Sequence, residues 1–424
     1  MVHRSLGRVH IVLFVQEAAL APVSECYYGS EMYDLITVIR IAVWLSYHRL
    51  ELPFALDHEQ GMRNASMIWT YVDTEQWPVG KTKLGRSLSQ CLSDLRAFEA
   101  HDPRDHVYGV MGLYTSLGQT GYKMPRLLEP DYRTLLPDVL RFATLWAVYE
   151  DSDLTIFSRV QMPSGKSPAD DDFASWVPRW DRPLSAEGFP ASFRSDFGTF
   201  GTHTKATTDP RKRLNSQPWG NLRLLHLEGC VAAPITKIWK AGLSSEHQVA
   251  DILEMIHEAE VTLHRLGHDD TKVLELLAGT LIACSDHQKQ PISAAEAVKG
   301  FRAWREHLNT TGSKPPSVNA VNTRWFGNTN DRKAAEYQHA MINACERRAI
   351  FITGDHVGIG PKVTDVGDVV VILWGCRWPV IVRQDPGRGT GRFVGVAYVH
   401  GAMEGEVVAE FDESGREAIM FELR

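Results

Sequence analysis

The sequence predicts an α+β chain: a largely helical body followed by a small C-terminal antiparallel β-sheet or partial barrel. Three observations predict it. Apolar residues recur at three- to four-residue spacing in most of the chain. Beyond residue 345 the pattern changes to short runs rich in β-branched residues, separated by Gly-Asp turns. The chain has 424 residues, of which 44% are hydrophobic and 23% charged, an ordinary globular composition with enough length to bury real cores. Composition divides it into a helical region over 1–190, an irregular linker with one strand and helices over 191–345, and a β-rich region over 346–424.

The elements follow in order. Residues 8–21 open with core-like sequence, and helical patterning continues over 31–50. Over 84–100, Leu84, Leu88, Leu92, Leu95 and Phe98 form one apolar helical face. Residues 101–113 specify a helix with both ends marked. Asp102 is placed to cap it, Pro103 fits the first turn, and Asp105 lies at the positive end of the dipole. Val107, Tyr108 and Met111 face a core, and Gly112 suits a left-handed stop. A further helix starts near Pro137 and offers Leu140, Ala143, Trp146 and Tyr149 for packing. Residues 161–221 are rich in turn formers, with Trp176 and Trp180 as aromatic interruptions. A strand over 222–229 leads into three or four helical stretches between 246 and 345. Short strands then fall at 349–353, 369–374, 379–382 and 393–399.

Charge and cysteine usage exclude several classes. The net charge of −7 provides no global attraction for nucleic acid, and Arg211-Lys212-Arg213 is a solvated loop. Ile11–Val15 is too short for a signal core, and Met32–Leu50 is broken by charges, so it reads as a buried core helix and not as a membrane span. Six dispersed cysteines without a Cys-x-x-Cys pair fit reduced thiols in a cytoplasmic protein.

The string from His101 to Leu113, with Asp102-Pro103-Arg104-Asp105, Val107-Tyr108 and Gly112-Leu113, resembles the signature of fungal heterokaryon-incompatibility (HET) domain proteins. Gln16-Glu17 with Leu20-Ala21 resembles a second signature of that family, and Ser175-Trp176-Val177-Pro178 a third. Gly395 to Glu406, with Tyr398-Val399-His400-Gly401, is similar to the family's ending. In that family the Gln-Glu element lies late in the core, whereas only a handful of residues precede it here. The resemblance therefore implies the back two-thirds of such a protein without the front of its TIR-like core. An NAD-cleaving activity would draw on that front half and is not expected. Leu45-Ser46-Tyr47-His48 looks like the opening motif of that front but lies on the wrong side of Gln16-Glu17.

Few residues suggest chemistry. Gly354 to Gly360 lacks the Lys-Ser/Thr of a P-loop and reads as strand–turn–strand. There is no nucleophile elbow and no zinc-protease pair, and no metal or cofactor is expected. The catalytic candidates are His106 and Tyr108, as donors or an acid–base pair, with Arg104 and Asp105 beside them. Arg104 and Asp105 are weighted toward fixing a loop, and His400 toward a structural hydrogen bond. Trp176, Trp180, Tyr398 and His400 are the candidates for substrate binding, with loop anchoring favoured for the two tryptophans.

Two functions stay open, and the absent front of the core tips the reading toward the first. One is a scaffold of fungal secondary metabolism that folds a small organic molecule for cyclisation, a pericyclic step or isomerisation in an apolar pocket, without a cofactor. The other is the family role implied by the resemblance: self/non-self recognition through a protein partner, leading to programmed cell death. Neither involves nucleic acid or a membrane.

Overall fold

The computed structural model describes residues 12–21, 24–47, 57–72, 86–117, 126–151, 154–161, 172–183, 223–240, 249–315, 318 and 329–424. The chain divides into two compact units. The first is residues 1–151 with 177–184; the second is residues 152–176 with 185–424. Most of 161–221, including the Arg211–Arg213 run, lies outside the described residues.

The first unit is helical. Helix α1 (Val12–Leu20) buries Val12, Val15 and Ala18 at three-residue spacing. The pattern over 31–50 resolves differently from the expectation. A hairpin of β1 (Glu25–Tyr28) and β2 (Glu31–Asp34) turns through Gly29 at φ +65°. Helix α2 (Leu35–Tyr47) begins only after it. The helix starts there because the Asp34 carboxylate accepts both the backbone N–H and the hydroxyl of Thr37, a capping arrangement that ends the strand. Nor is α2 a buried core helix. Ile39 is covered, but Val38, Ile41 and Trp44 stand exposed.

Helix α3 (Asp57–Val72) contributes Ala65, Ile68 and Tyr71 to the core. Helix α4 (Leu88–Leu95) buries Leu88, Cys91, Leu92 and Leu95, the face its leucine spacing predicts. The Glu150 carboxylate accepts the free Leu88 N–H at the start of α4. Helix α5 (Asp105–Leu117) does not stop at Gly112. A Cβ at Gly112 would stand 2.6 Å from Cδ of Gln16, so this glycine lets α1 approach α5 rather than ending the helix. Helix α6 (Leu136–Asp151) buries Leu140, Ala143 and Trp146 and leaves Tyr149 exposed.

In the second unit, helices α7 (Val249–Arg265), α8 (Asp270–Leu281), α9 (Ala294–Thr311) and α10 (Thr329–Cys345) lie in the chain between the first strand of the barrel sheet and the others. Helix α9 has a complete capping box, Ser293 with Glu296, and a left-handed Gly312 stop. Phe301, Trp304 and Tyr337 pack between α9 and α10 with ring centroids 5.8 Å apart.

The sheet is organised by one long strand, β3 (Leu225–Trp239). The expected strand ended at Gly229, but the structure carries it straight through. Gly229 faces Leu373 in the neighbouring strand, and a Cβ there would lie 2.2 Å from the Ile372 carbonyl oxygen. The glycine marks a close approach and not a turn. The other strands are β4 (Arg348–Thr353), β5 (His356–Pro361), β6 (Val369–Leu373), β7 (Val380–Gln384), β8 (Gly391–Val396), β9 (Tyr398–Val399) and β10 (Ile419–Leu423). The first half of β3 pairs antiparallel with β6 and β10, and its second half with β4. Register shifts near Ala232 and Thr236 bend it between the two roles. Pairings β3–β6–β7–β8–β10–β3 close a ring, while β4, β5 and β9 extend the sheet from the other half of β3. Ile235, Phe351, Ile372, Ile381 and Val394 fill the interior, and Phe411 of α11 (Glu406–Glu413) packs against Trp374 at one side. The α+β class with a C-terminal, partly closed sheet is the one the sequence predicts. No helix among the described residues is long and apolar enough to cross a membrane.

Candidate functional site

In the first unit, the Asp102–Tyr108 segment is tied to the stretch 131–134. The Asp102 carboxylate accepts Arg104 N–H and Nε at 2.9 Å and Nη2 at 2.7 Å. The remaining Nη1 donates to the carbonyls of Tyr132 and Thr134. The guanidinium also lies 5.3 Å from the Tyr132 ring centroid. Tyr132 returns a hydroxyl to Asp105 at 2.6 Å, and this bond, with some burial, pushes its phenol up to about 12. The Tyr108 hydroxyl donates to the Asp131 carbonyl at 3.0 Å, and its ring meets that of Tyr132 edge-on at 5.4 Å. Each of these polar groups is engaged in holding two chain segments together.

His106 differs. Its ring is buried, and Nδ1 has no hydrogen-bond partner among the described residues. Burial pushes its pKa down, opposed by Asp181 and Asp105, so the imidazole is neutral at physiological pH. Asp181 belongs to the 177–184 segment of the same unit. Desolvation would raise its carboxyl, yet a two-pronged pairing with Arg179 outweighs that and holds it low. Trp180 is wholly buried beside it, donating Nε1 to Thr144 at 3.2 Å under the Arg96 guanidinium.

In the second unit, Trp176 is also wholly buried. Its neighbour Ser175 fastens this segment to the barrel by accepting the Phe393 N–H at 2.8 Å and donating to the Arg424 carbonyl. Both tryptophans are therefore enclosed by protein.

Tyr398 and His400 meet a residue that the sequence did not single out. The Tyr398 hydroxyl lies 3.1 Å from His400 Nδ1, and Cys284 Sγ lies 3.6 Å from the same nitrogen. Cys284 ends the turn after α8, where Ala283 and Cys284 hold φ of 49° and 48°. Two successive left-handed residues with side chains cost roughly 1–2 kcal/mol apiece. The Cys284 N–H donates to the Gly279 carbonyl and its own carbonyl accepts Ile292, which fixes the turn. Gly279 leaves room for the imidazole, since a Cβ there would stand 2.6 Å from His400 Cε1. Burial raises the Cys284 thiol, countered by its bond with Tyr398. Burial also lowers His400, helped by Lys272 and His356 and opposed by Glu275 and Glu406. No local motif announces Cys284; only the fold brings it to His400.

Residues 281–417 match the Het-6 beta-barrel domain family, an interval that contains Cys284, Tyr398 and His400. Heterokaryon incompatibility protein 6, OR allele, of Neurospora crassa is 22% identical over 382 residues, covering 78% of this chain and 53% of that protein. The chain thus spans about half the length of that relative. No solved structure matches.

Proposed function

From a chain that belongs to the fungal heterokaryon-incompatibility (HET) domain proteins, we propose a role in self/non-self recognition inside the fungal cell. The observation that carries this reading is a relative named for heterokaryon incompatibility, similar across most of the chain. Recognition through a protein partner also draws support from the apolar residues Tyr27, Met32, Val38, Ile41 and Trp44, left exposed on the β1–β2 hairpin and α2.

The small-molecule cyclase reading draws no comparable support. It needs an apolar pocket among the candidate residues, and two of those candidates, Trp176 and Trp180, are covered by protein. A depression of about 410 Å³ runs along α8 and α9, lined by Leu274, Arg302, Arg305 and Glu306, and includes none of the eight candidate residues.

The test is genetic. The coding sequence is introduced into paired fungal strains that differ in their recognition genes, and transformant recovery and dye uptake after cell fusion are scored. Death confined to one genetic background is the expected result. Equal viability in every background overturns the proposal.

A further inference from the structure

Cys284 presents a thiol to a general base across a turn held in a strained conformation. Its sulfur and the Tyr398 hydroxyl both approach His400 Nδ1, and Cys284 and His400 are each partly open to solvent. The other partly exposed thiol, Cys26, lies on β1, where burial and the neighbouring Asp34 carboxylate push its pKa up. Cys91, Cys230, Cys345 and Cys376 are buried. Left-handed backbone is usually given to glycine, so a cysteine fixed there beside an imidazole is an outlier that points toward function.

We propose that Cys284 is a covalent capture site for soft electrophiles of the α,β-unsaturated carbonyl class, with His400 as proton acceptor and Tyr398 as the residue that positions it. The sulfur bonds to the β-carbon of the electrophile as the S–H bond breaks, and the proton passes to His400 Nδ1. The carbon–carbon π pair moves toward the carbonyl, and the α-carbon then takes the proton back from His400. The adduct contains every atom of both reactants and needs no oxidant, metal or leaving group. Because burial keeps the resting thiol protonated and the imidazole neutral, reactivity depends on this transfer and not on a standing thiolate. The Tyr398 hydroxyl is placed to donate to the sulfur as charge develops there.

The assignment goes beyond the recognition role and does not rest on it. Its test uses the full chain and a limiting amount of N-ethylmaleimide, itself a member of this electrophile class. Each cysteine is followed by peptide mass spectrometry over time. General-base assistance is worth about a hundredfold or more in favourable cases, so Cys284 is expected to react at least about tenfold faster than Cys26. That comparison is internal to the unaltered protein and needs no variant to fold. His400→Gln is expected to slow Cys284 at least about tenfold while leaving Cys26 unchanged. Gly279→Ala retains the base but puts a Cβ 2.8 Å from His400 Nδ1 and 3.2 Å from Cys284 Sγ, and it should slow the same cysteine. Tyr398→Phe should lower the Cys284 rate less than His400→Gln does, as a positioning residue would. Faster labelling of Cys26 in the unaltered chain overturns the proposal, as does an unchanged Cys284 rate in His400→Gln.

Discussion

Substituting Gly229 by alanine tests how the barrel is closed. Gly229 is buried where β3 lies between β6 and β10, and its pairing partners are Leu373 on one side and Ile419 on the other. A Cβ would stand 2.2 Å from the Ile372 carbonyl oxygen and 3.1 Å from Leu373 Cα. Both are backbone atoms, so no side-chain rotation relieves the clash. Strand β6 must retreat by nearly an ångström, which breaks the 2.8 Å bond from Trp374 N–H to the Glu228 carbonyl. Overpacking costs about 1–3 kcal/mol and one or two weakened ladder bonds about 1 kcal/mol each, for roughly 2–5 kcal/mol in all. At about 2–4 °C per kcal/mol for a unit of this size, the melting transition of the second unit should fall by about 4–20 °C. Differential scanning calorimetry reads the shift, with tryptophan fluorescence as a second probe. Gly61→Ala is the matched control, a glycine within α3 with nothing inside 4 Å of an added Cβ. It should raise stability by about 0.5–1 kcal/mol through helix propensity. A Gly229→Ala protein that melts within about 2 °C of the parent refutes the close-approach argument.

Other expectations concern charge. Asp105→Asn should bring the Tyr132 phenol back from about 12 toward its ordinary value, read from phenolate absorbance against pH. Because the folded value lies above the unfolded one, the stability that the bond supplies is complete below about pH 10 and is lost as pH rises through the folded value. Asp181 behaves in the opposite sense. Its carboxyl is held low despite desolvation, so its contribution is present above about pH 4 and lost as acid protonates it. Asp181→Asn should therefore flatten the acid limb of the first unit's pH–stability profile; an unaltered limb argues against the Arg179 pairing. In the barrel, buried Asp368 receives Nε and Nη2 of Arg383 at 2.7 and 2.8 Å and the Asp365 N–H at 2.8 Å. Asp368→Ala should cost about 1–3 kcal/mol in chemical denaturation, because the Asp365 N–H loses its acceptor while Arg383, itself a third exposed, keeps Asp365 and the Val363 carbonyl.

How much of this was legible varies with range. Strands β4, β6, β7 and β8 are readable because runs of β-branched residues and Gly-Asp turns are local signals, as Gly354-Asp355 after β4 shows. The α4 face was readable from its leucine spacing for the same reason. Glycines misled where they serve tertiary contact. Gly112 resembles a helix stop and Gly229 a strand end, yet each makes room for a neighbour distant in the chain. The early hairpin was hidden because its apolar and aromatic residues run into an equally apolar helix, with Asp34 the local sign of the junction. At the candidate sites, the recognisable strings carry some of the residues but not their partners. Tyr132 and Cys284 enter through pairings 27 and 116 residues apart, which no local spacing encodes.

The two clusters separate on what their polar atoms are doing. Around Asp102, the Arg104 donors, the Asp105 carboxylate and both tyrosine hydroxyls are engaged by neighbouring groups of the protein. Removing a proton or binding a ligand there would first have to break one of those bonds and leave a group of the scaffold without its partner. His106 Nδ1 has no partner among the described residues, but the side chain is buried at 7% exposure, so its basicity faces protein. At the turn after α8 the balance is reversed. The backbone is fixed, while Sγ, Nδ1 and Oη compete for a single short-range arrangement in which a proton has more than one place to go. Two of those three side chains are also partly open to solvent. A group of that kind loses little by engaging an incoming electrophile, because the pairing it gives up is the sulfur–imidazole contact at 3.6 Å and not a short bond to the backbone. In the Asp-Pro-Arg-Asp helix the paired acids and the neighbouring arginine are thus engaged within the scaffold, whereas the turn after α8 carries the proposed nucleophile, Cys284, beside His400.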